Sequence, residues 1–145
     1  MPEPNELTET IEFARKLHGH LGPYLTVGLK MGVAAKKALN IPDNESTHLR
    51  AEVSVPPYPP FSCLLDGIQA STTCTIGNQR LQIKNSKNIQ VTFVVEEGSK
   101  IVKITLTKHF GEMLDEKKKQ DKLDEAYAWE IAELPETQLF KITVE

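Results

Sequence analysis

The segment SCLLDGIQASTTCTIGNQRL, residues 62–81, contains both cysteines of the chain. Its apolar residues recur at helical spacing and Ser62 is a residue type that caps helices, so the segment predicts one short helix. On a helical wheel Cys63, Asp66 and Cys74 share a side with small residues. A small, polar side is an unusual surface to bury, and it predicts the floor of a pocket.

The spacing of the two thiols limits what they can do together. In a straight helix, eleven residues at about 1.5 Å each place the sulfurs of Cys63 and Cys74 roughly 16 Å apart, which excludes a disulfide. Shared ligation of one metal ion then requires the helix to end early or a second subunit to contribute. Cys63 is the better ligand or nucleophile, because a helix N-terminus favours the thiolate. Asp66 lies one turn later, so Cys63 and Asp66 are candidate catalytic residues, whereas Gln69 can simply cap a backbone group.

Two helices are predicted at the start of the chain. Asn5 can cap the first, whose apolar residues continue to Leu17. Gly22 and Pro23 are suited to the start of the second, which extends towards Asn40. Four small residues on this second helix allow another backbone to approach closely: Gly28, Gly32, Ala34 and Ala35.

A histidine pair, HGH at residues 18–20, stands where the first helix ends and the second begins. Neutral imidazole is the commonest metal ligand among side chains. His18 could equally be a helix C-terminal residue that interacts favourably with the dipole. His18 and His20 are therefore candidate ligands on weak evidence alone.

Alternating and β-branched segments predict a sheet. They are HLRAEVSV (48–55), RLQIKN (80–85), IQVTFVVEE (89–97), KIVKITLTK (100–108) and TQLFKITVE (137–145), with EEGSK (96–100) as a hairpin turn and PPYPPF (56–61) as a rigid loop. The charged segment 112–134 predicts a helix. Helices followed by meandering strands predict a single α+β domain over residues 1–145, with N-terminal helices packed on a mostly antiparallel sheet.

Composition excludes several classes of protein. The chain has 145 residues, 39% apolar and 26% charged, and a net charge of −3, which gives no electrostatic footprint for nucleic acid. Its apolar runs are too short for a membrane span, and the start MPEPNELTE lacks the features of a signal peptide. Two cysteines do not make a disulfide framework. We expect a cytoplasmic protein with free thiols.

The motifs taken together resemble those of the FmdE family, which takes its name from formylmethanofuran dehydrogenase. Members of that family are similar to FHGHLCPG near the start and to C-x-x-D-A-I-Q-x-x-T-G-C-T-x-G-x-G-N-L in the middle. This chain has LHGHLGPYLTVG at residues 17–28 and CLLDGIQASTTCTIGNQRL at 63–81. The resemblance extends to VTFVVEEGSKIVKITL and AYAWEIAELPETQLFKI further along, and so covers nearly the whole chain.

The resemblance implies an α+β core that assembles as an intertwined homodimer, in which ligands could converge from two chains. It implies a metal site formed by His18, His20, Cys63 and Cys74, with zinc or another transition metal bound. It also implies association with a molybdenum or tungsten enzyme of one-carbon metabolism. Two cysteines cannot hold an iron–sulfur cluster by four thiolates, and no pterin-binding signature is visible.

Three departures from the family pattern bear on these expectations. The cysteine that follows HGHL is Gly22 here, the TGCT of the motif is TTCT, and the sequence ends at Glu145, where a zinc-ribbon domain often begins. The expectation is therefore a core domain whose metal site lacks one ligand.

Three interpretations of function stay open. The first is a dimer that binds a metal or a small ligand. The second is an assembly module that recognises another protein, with the motif retained for packing. The third is an enzyme in which Cys63 is the nucleophile and His18 or His20 the base.

Overall fold

A five-stranded sheet packs one face against helices in the computed structural model, which describes residues 5–41, 48–95 and 100–145. The elements are α1 (Glu6–His18), α2 (Pro23–Ala38), β1 (Leu49–Val55), a 3₁₀ turn (Phe61–Cys63), α3 (Leu64–Thr72), β2 (Leu81–Asn85), β3 (Gln90–Val95), β4 (Ile101–Leu106), α4 (Lys108–Lys119), α5 (Glu125–Glu133), the single turn α6 (Glu136–Leu139) and β5 (Phe140–Val144). The predicted α+β class is confirmed. No helix in these residues is long and apolar enough to cross a membrane.

The sheet has the strand order β2-β1-β3-β4-β5. Strand β2 runs parallel to β1, with Leu81 opposite Ala51, and the other three pairings are antiparallel. The prediction of a mostly antiparallel sheet is therefore confirmed. The hairpin turn predicted at residues 96–100 lies almost entirely outside the described residues.

The first two helices begin where the sequence predicts. The Asn5 side chain accepts a hydrogen bond of 2.8 Å from the backbone N–H of Thr8, and Gly19 ends α1 with a φ of +100°. Gly22 is the N-cap of α2 and Pro23 its first residue. Helix α1 therefore stops at His18, which fixes where that imidazole can reach.

Helices α2 and α3 pack with their backbones in near contact. A Cβ at Gly28 would lie 1.9 Å from the Leu64 carbonyl oxygen, and one at Gly67 would lie 2.1 Å from the Leu25 carbonyl oxygen. Both glycines are thus required by close approach, as the small residues of α2 predict. The small side of α3 is consequently consumed by this contact and does not form a pocket floor, which corrects that expectation.

The charged segment 112–134 is two helices and not one. Helix α4 ends at Lys119, Asp121 adopts a φ of +56°, and the Asp124 side chain accepts from the Tyr127 N–H to cap α5. The apolar residues of both helices reach the same core, because the break lets α5 turn back over α2. Phe110 and Ile131 are both buried there.

A buried lysine joins α2 to the end of α5. The Lys30 ammonium donates hydrogen bonds to the carbonyl oxygens of Ile131 (3.2 Å), Ala132 (3.0 Å) and Leu134. These carbonyls lie at a helix C-terminus, where they lack intrahelical partners. Burial lowers the pKa of Lys30, and the three acceptors offset that cost by solvating its charge.

Candidate functional site

The candidate site forms where the end of α1 meets the start of α3. His18 is the last residue of α1, and His20 follows in the short connection to α2. Cys63 closes the 3₁₀ turn and directly precedes α3, while Asp66 lies in the first turn of that helix. Ser62 belongs to the 3₁₀ turn and does not cap α3, so the predicted cap is wrong.

Asp66 and Gln69 hold the His18 ring in one orientation. His18 Nδ1 lies 2.7 Å from Asp66 Oδ2, and Gln69 Nε2 donates to Asp66 Oδ1 at 2.9 Å. A carboxylate only accepts hydrogen bonds, so Nδ1 of His18 carries the proton. The second ring nitrogen, Nε2, is buried and has no hydrogen-bond partner among the described residues. That nitrogen is left with a free lone pair whenever the ring is neutral.

Two hollows meet at His18. One, of about 330 Å³, is lined by His18, Cys63, Asp66 and Gln69 and has an apolar rim that includes Ile83. The other, of about 60 Å³, is lined by His18, His20, Gly22 and Cys63 among apolar residues. The rings of His18 and His20 have centroids 4.7 Å apart. His18, His20 and Cys63 therefore share one small cavity, large enough for an ion or a water molecule.

Position 22 also faces this cavity. A Cβ built on Gly22 would lie 3.7 Å from His20 Nε2, an ordinary contact distance. The backbone there is extended, with φ −131° and ψ 169°, a conformation open to any residue. A cysteine at this position would consequently fit without strain and bring its sulfur to the histidines.

The Cys63 thiol is less acidic than its position suggests. Burial, and then the negative charge of Asp66, raise its pKa above the ordinary value. This direction is the opposite of the helix N-terminus effect predicted from sequence, because Asp66 lies in the first turn of the same helix. A free thiolate is disfavoured here unless a cation accompanies it.

Cys74 lies elsewhere in the molecule. Helix α3 ends at Thr72, and Cys74 is fully buried in the core, with its thiol donating to the Leu49 carbonyl oxygen at 3.3 Å. Burial raises the pKa of this thiol too. The structure thus brings His18, His20, Cys63 and Asp66 together and leaves Cys74 out, so the early end of the helix does not unite the two sulfurs.

The donors present fit part of a metal site. A buried, unpartnered imidazole nitrogen beside a thiol is the nitrogen and sulfur chemistry that zinc prefers. Across residues 5–41, 48–95 and 100–145, however, no three His, Cys, Asp or Glu side chains are grouped closely enough to form a complete site. At least one ligand would have to come from water, a bound molecule or a second chain.

Gln69 is the site residue whose role sequence reasoning missed. It follows Asp66 by three residues, a spacing that places both on one helix face. Its amide nitrogen bonds to Asp66, while its oxygen lies 3.5 Å from the Ile76 N–H. The signal was present in the spacing, but the partner of Asp66 on α1 was not.

Comparison with known proteins points in one direction. The family described as FmdE, molybdenum formylmethanofuran dehydrogenase operon, matches residues 17–141. A protein of Archaeoglobus fulgidus named probable S-adenosyl-L-methionine-binding protein is 23% identical over 158 aligned residues, covering 95% of this chain and 43% of that protein. The chain therefore spans less than half the length of this relative.

A solved structure shares the fold. It is the crystal structure of an FmdE-like protein of tungsten formylmethanofuran dehydrogenase from Syntrophus aciditrophicus, with a TM-score of 0.68 and 18% identity. The superposition covers all of this chain and 77% of that one.

Proposed function

Since this chain belongs to the FmdE family, we propose that it is a metal-binding core protein whose site is built on His18 and Cys63. The observation that carries this proposal is the orphaned Nε2 atom of His18, buried beside a thiol and held in place by Asp66. Zinc, or another transition metal of similar preference, suits these donors.

The Asp66–His18 pair has the form of an outer-shell contact in metalloproteins. A histidine that binds a metal through one nitrogen usually donates its other N–H to a carboxylate or carbonyl, which fixes the tautomer and raises the basicity of the ligand. Gln69 in turn fixes the carboxylate. In this role Asp66 and Gln69 position the ligand, while Cys63 binds as the thiolate after losing its proton to solvent.

His20 is the third donor that we assign to the site. It lines the same cavity as His18 and Cys63, and a small rotation of its side chain would bring a ring nitrogen into reach. Three protein ligands would leave one position open, as catalytic zinc sites do, and the ion would then act as a Lewis acid at that position. The smaller role of Cys74 is to fill the core.

We further propose that the working form is a homodimer with an accessory role towards a molybdenum or tungsten enzyme. The incomplete ligand set supports assembly, because a second copy could supply the missing ligand. The family description supports the accessory role. A role of Cys63 as a free nucleophile is less favoured, because its pKa is raised. A metal-free assembly module is the alternative that the following experiment separates.

The test is zinc binding by untagged protein and four variants, measured by calorimetry and by the thiolate-to-metal absorption of the cobalt-loaded form. His18→Ala and Cys63→Ala should abolish binding, whereas Cys74→Ala, which removes a thiol outside the site, should retain it. Gly22→Cys should bind more tightly because it adds a ligand to the same cavity. Absence of binding by both the parent and Gly22→Cys would leave the assembly module as the better interpretation.

A further inference from the structure

A larger hollow lies between the proline-rich loop and the start of α4, and we call it the proline–aromatic groove. Its volume is about 910 Å³, within the range of small-molecule sites. Tyr24, Tyr58 and Phe61 form one side, and residues 85–89 and 105–108 form the other. His18, His20 and Cys63 do not line it, so it is separate from the metal-binding cluster.

The aromatic side of the groove is preorganised. Tyr58 meets Phe61 edge to face at 5.7 Å, and Phe61 meets Tyr24 edge to face at 5.3 Å. Prolines at 56, 57, 59 and 60 restrict the backbone on both sides of Tyr58. Tyr58 nevertheless remains 56% exposed. A rigid aromatic ring held partly in solvent is suited to stack against another flat ring.

Helix α4 departs from helix preferences at the two positions that line the groove. Lys108 begins the helix, whose first turn has no acidic residue, although a cation there opposes the macrodipole. Gly111 lies inside the helix, where alanine would be more stable. A Cβ at Gly111 would meet nothing within 4 Å, so no packing contact requires glycine. Such local departures are typical of functional positions.

The polar groups of the groove are available to a ligand. Neither Lys87 nor Lys108 forms an ion pair within the described parts of the chain, and Asp115 is the one acidic residue in the lining. The side-chain amides of Asn85 and Asn88 likewise have no hydrogen-bond partner there. Two cations against one anion favour a ligand that carries negative charge.

We propose that the proline–aromatic groove binds a nucleotide-like ligand, that is, a planar heteroaromatic ring joined to an anionic group. The ring stacks on Tyr58 in the space left open at Gly111. Lys87 and Lys108 bind the anionic group, which also relieves the repulsion between Lys108 and the helix. Asn85 and Asn88 hydrogen-bond to the polar edge of the ring or to the linker.

The experiment is calorimetric titration of the full chain with adenosine monophosphate, adenosine and inorganic phosphate. We expect saturable one-to-one binding of the monophosphate, weaker binding of adenosine and the weakest binding of phosphate. Tyr58→Ala should weaken the monophosphate roughly tenfold, the usual scale for loss of one stacking contact. Phe13→Ala is the matched control, since Phe13 on α1 is 55% exposed and should leave binding unchanged.

Two further variants test the shape and charge of the groove. Gly111→Leu should abolish binding by filling the space, with Gly111→Ala as a milder version that keeps the helix intact. Lys108→Gln should weaken the monophosphate and leave adenosine unaffected. Absence of saturable binding by both nucleoside ligands overturns the proposal, as does binding that survives Tyr58→Ala and Gly111→Leu. Cys63→Ala should bind the nucleotide normally, so this result is independent of the metal site.

Discussion

Asp66 affects its two neighbours in opposite ways. It orients His18 by accepting from Nδ1, and it helps to raise the pKa of Cys63 through its negative charge. Both effects stabilise positive charge at this point of the molecule and destabilise a free thiolate. A metal cation would satisfy the carboxylate, the imidazole and the sulfur at once, which is why the residues favour metal binding over nucleophilic catalysis.

The reactivity of Cys63 should follow from its raised pKa. A higher pKa leaves less thiolate at any given pH, so alkylation of metal-free protein by iodoacetamide should be slower near neutral pH than that of an unperturbed thiol and should rise steeply under alkaline conditions. Asp66→Asn removes the repelling charge and should shift the rate profile to lower pH. Peptide mass spectrometry resolves Cys63 from Cys74. Fast labelling at neutral pH would contradict the raised pKa and revive the nucleophile interpretation.

Lys30 should contribute strongly to stability. Lys30→Met keeps the apolar stem but leaves three carbonyl oxygens of α5 without their donor, which we expect to cost about 2 kcal/mol or more. The matched control is Lys37→Met on the same helix. Lys37 is 72% exposed and pairs with Glu136 at 3.1 Å, and an exposed pair contributes only about 0–1 kcal/mol. Urea denaturation of both variants measures the difference, and equal losses would contradict the role of Lys30.

Individual residues show where sequence reasoning succeeds and fails. Asn5 and the Gly22–Pro23 pair act through their immediate neighbours, so their roles as helix starts could be predicted. The His18–Asp66 contact joins residues 48 positions apart. It depends on how α1 lies against α3, which no local pattern encodes, and the orphaned Nε2 of His18 was therefore invisible in the sequence.

At the scale of elements, the α2–α3 contact is the most demanding feature of the fold. Gly28→Ala would place a Cβ 1.9 Å from the Leu64 carbonyl oxygen, and backbone cannot move aside cheaply. We expect a loss of about 2–3 kcal/mol, in the range of overpacked cores. Gly111→Ala is the control, because its Cβ meets nothing and helix propensity predicts a gain of up to about 1 kcal/mol. Chemical denaturation that shows the same sign for both would contradict this packing.

The break between α4 and α5 shows why a charged segment is hard to interpret. Helical residues continue on both sides of it, so residues 112–134 predict one helix by composition. Asp124 caps α5 by accepting from Tyr127, a role that its position before an apolar run could have revealed. Asp121 adopts a positive φ only because the chain must turn there. The tertiary requirement to cover the core decides the break.

At the scale of the whole molecule, the sheet should unfold from its edges. Strands β1 and β3 are central, whereas β2 pairs only with β1 and four of its five residues are exposed. Amide hydrogen exchange should therefore be slowest in residues 49–55 and 91–94 and markedly faster in 81–85. Mass spectrometry of peptic fragments measures this order. Equal protection of β1 and β2 would indicate that something covers the β2 edge, and a second copy of the chain is the first candidate.

The sheet type could be predicted, but its strand order could not. Alternation of apolar residues marks the strands, and successive strands usually pair as antiparallel neighbours. The parallel pairing of β2 with β1 departs from that pattern because residues 56–80 cross over through α3. A strand–helix–strand sequence is the signal for such a crossover. It was weakened here by the proline-rich loop that precedes the helix.

The burial of Cys74 gives this molecule an internal reporter of its own opening. Its sulfur is fully inaccessible, so a thiol reagent reaches it only during transient opening of the core, while Cys63 is reached without unfolding. The ratio of the Cys74 labelling rate to that of the unfolded chain gives the free energy of that opening. Any ligand that binds the native state lowers this rate in proportion to its occupancy. The binding of a metal at His18, or of a nucleotide in the groove, can thus be followed through one unmodified atom that touches neither.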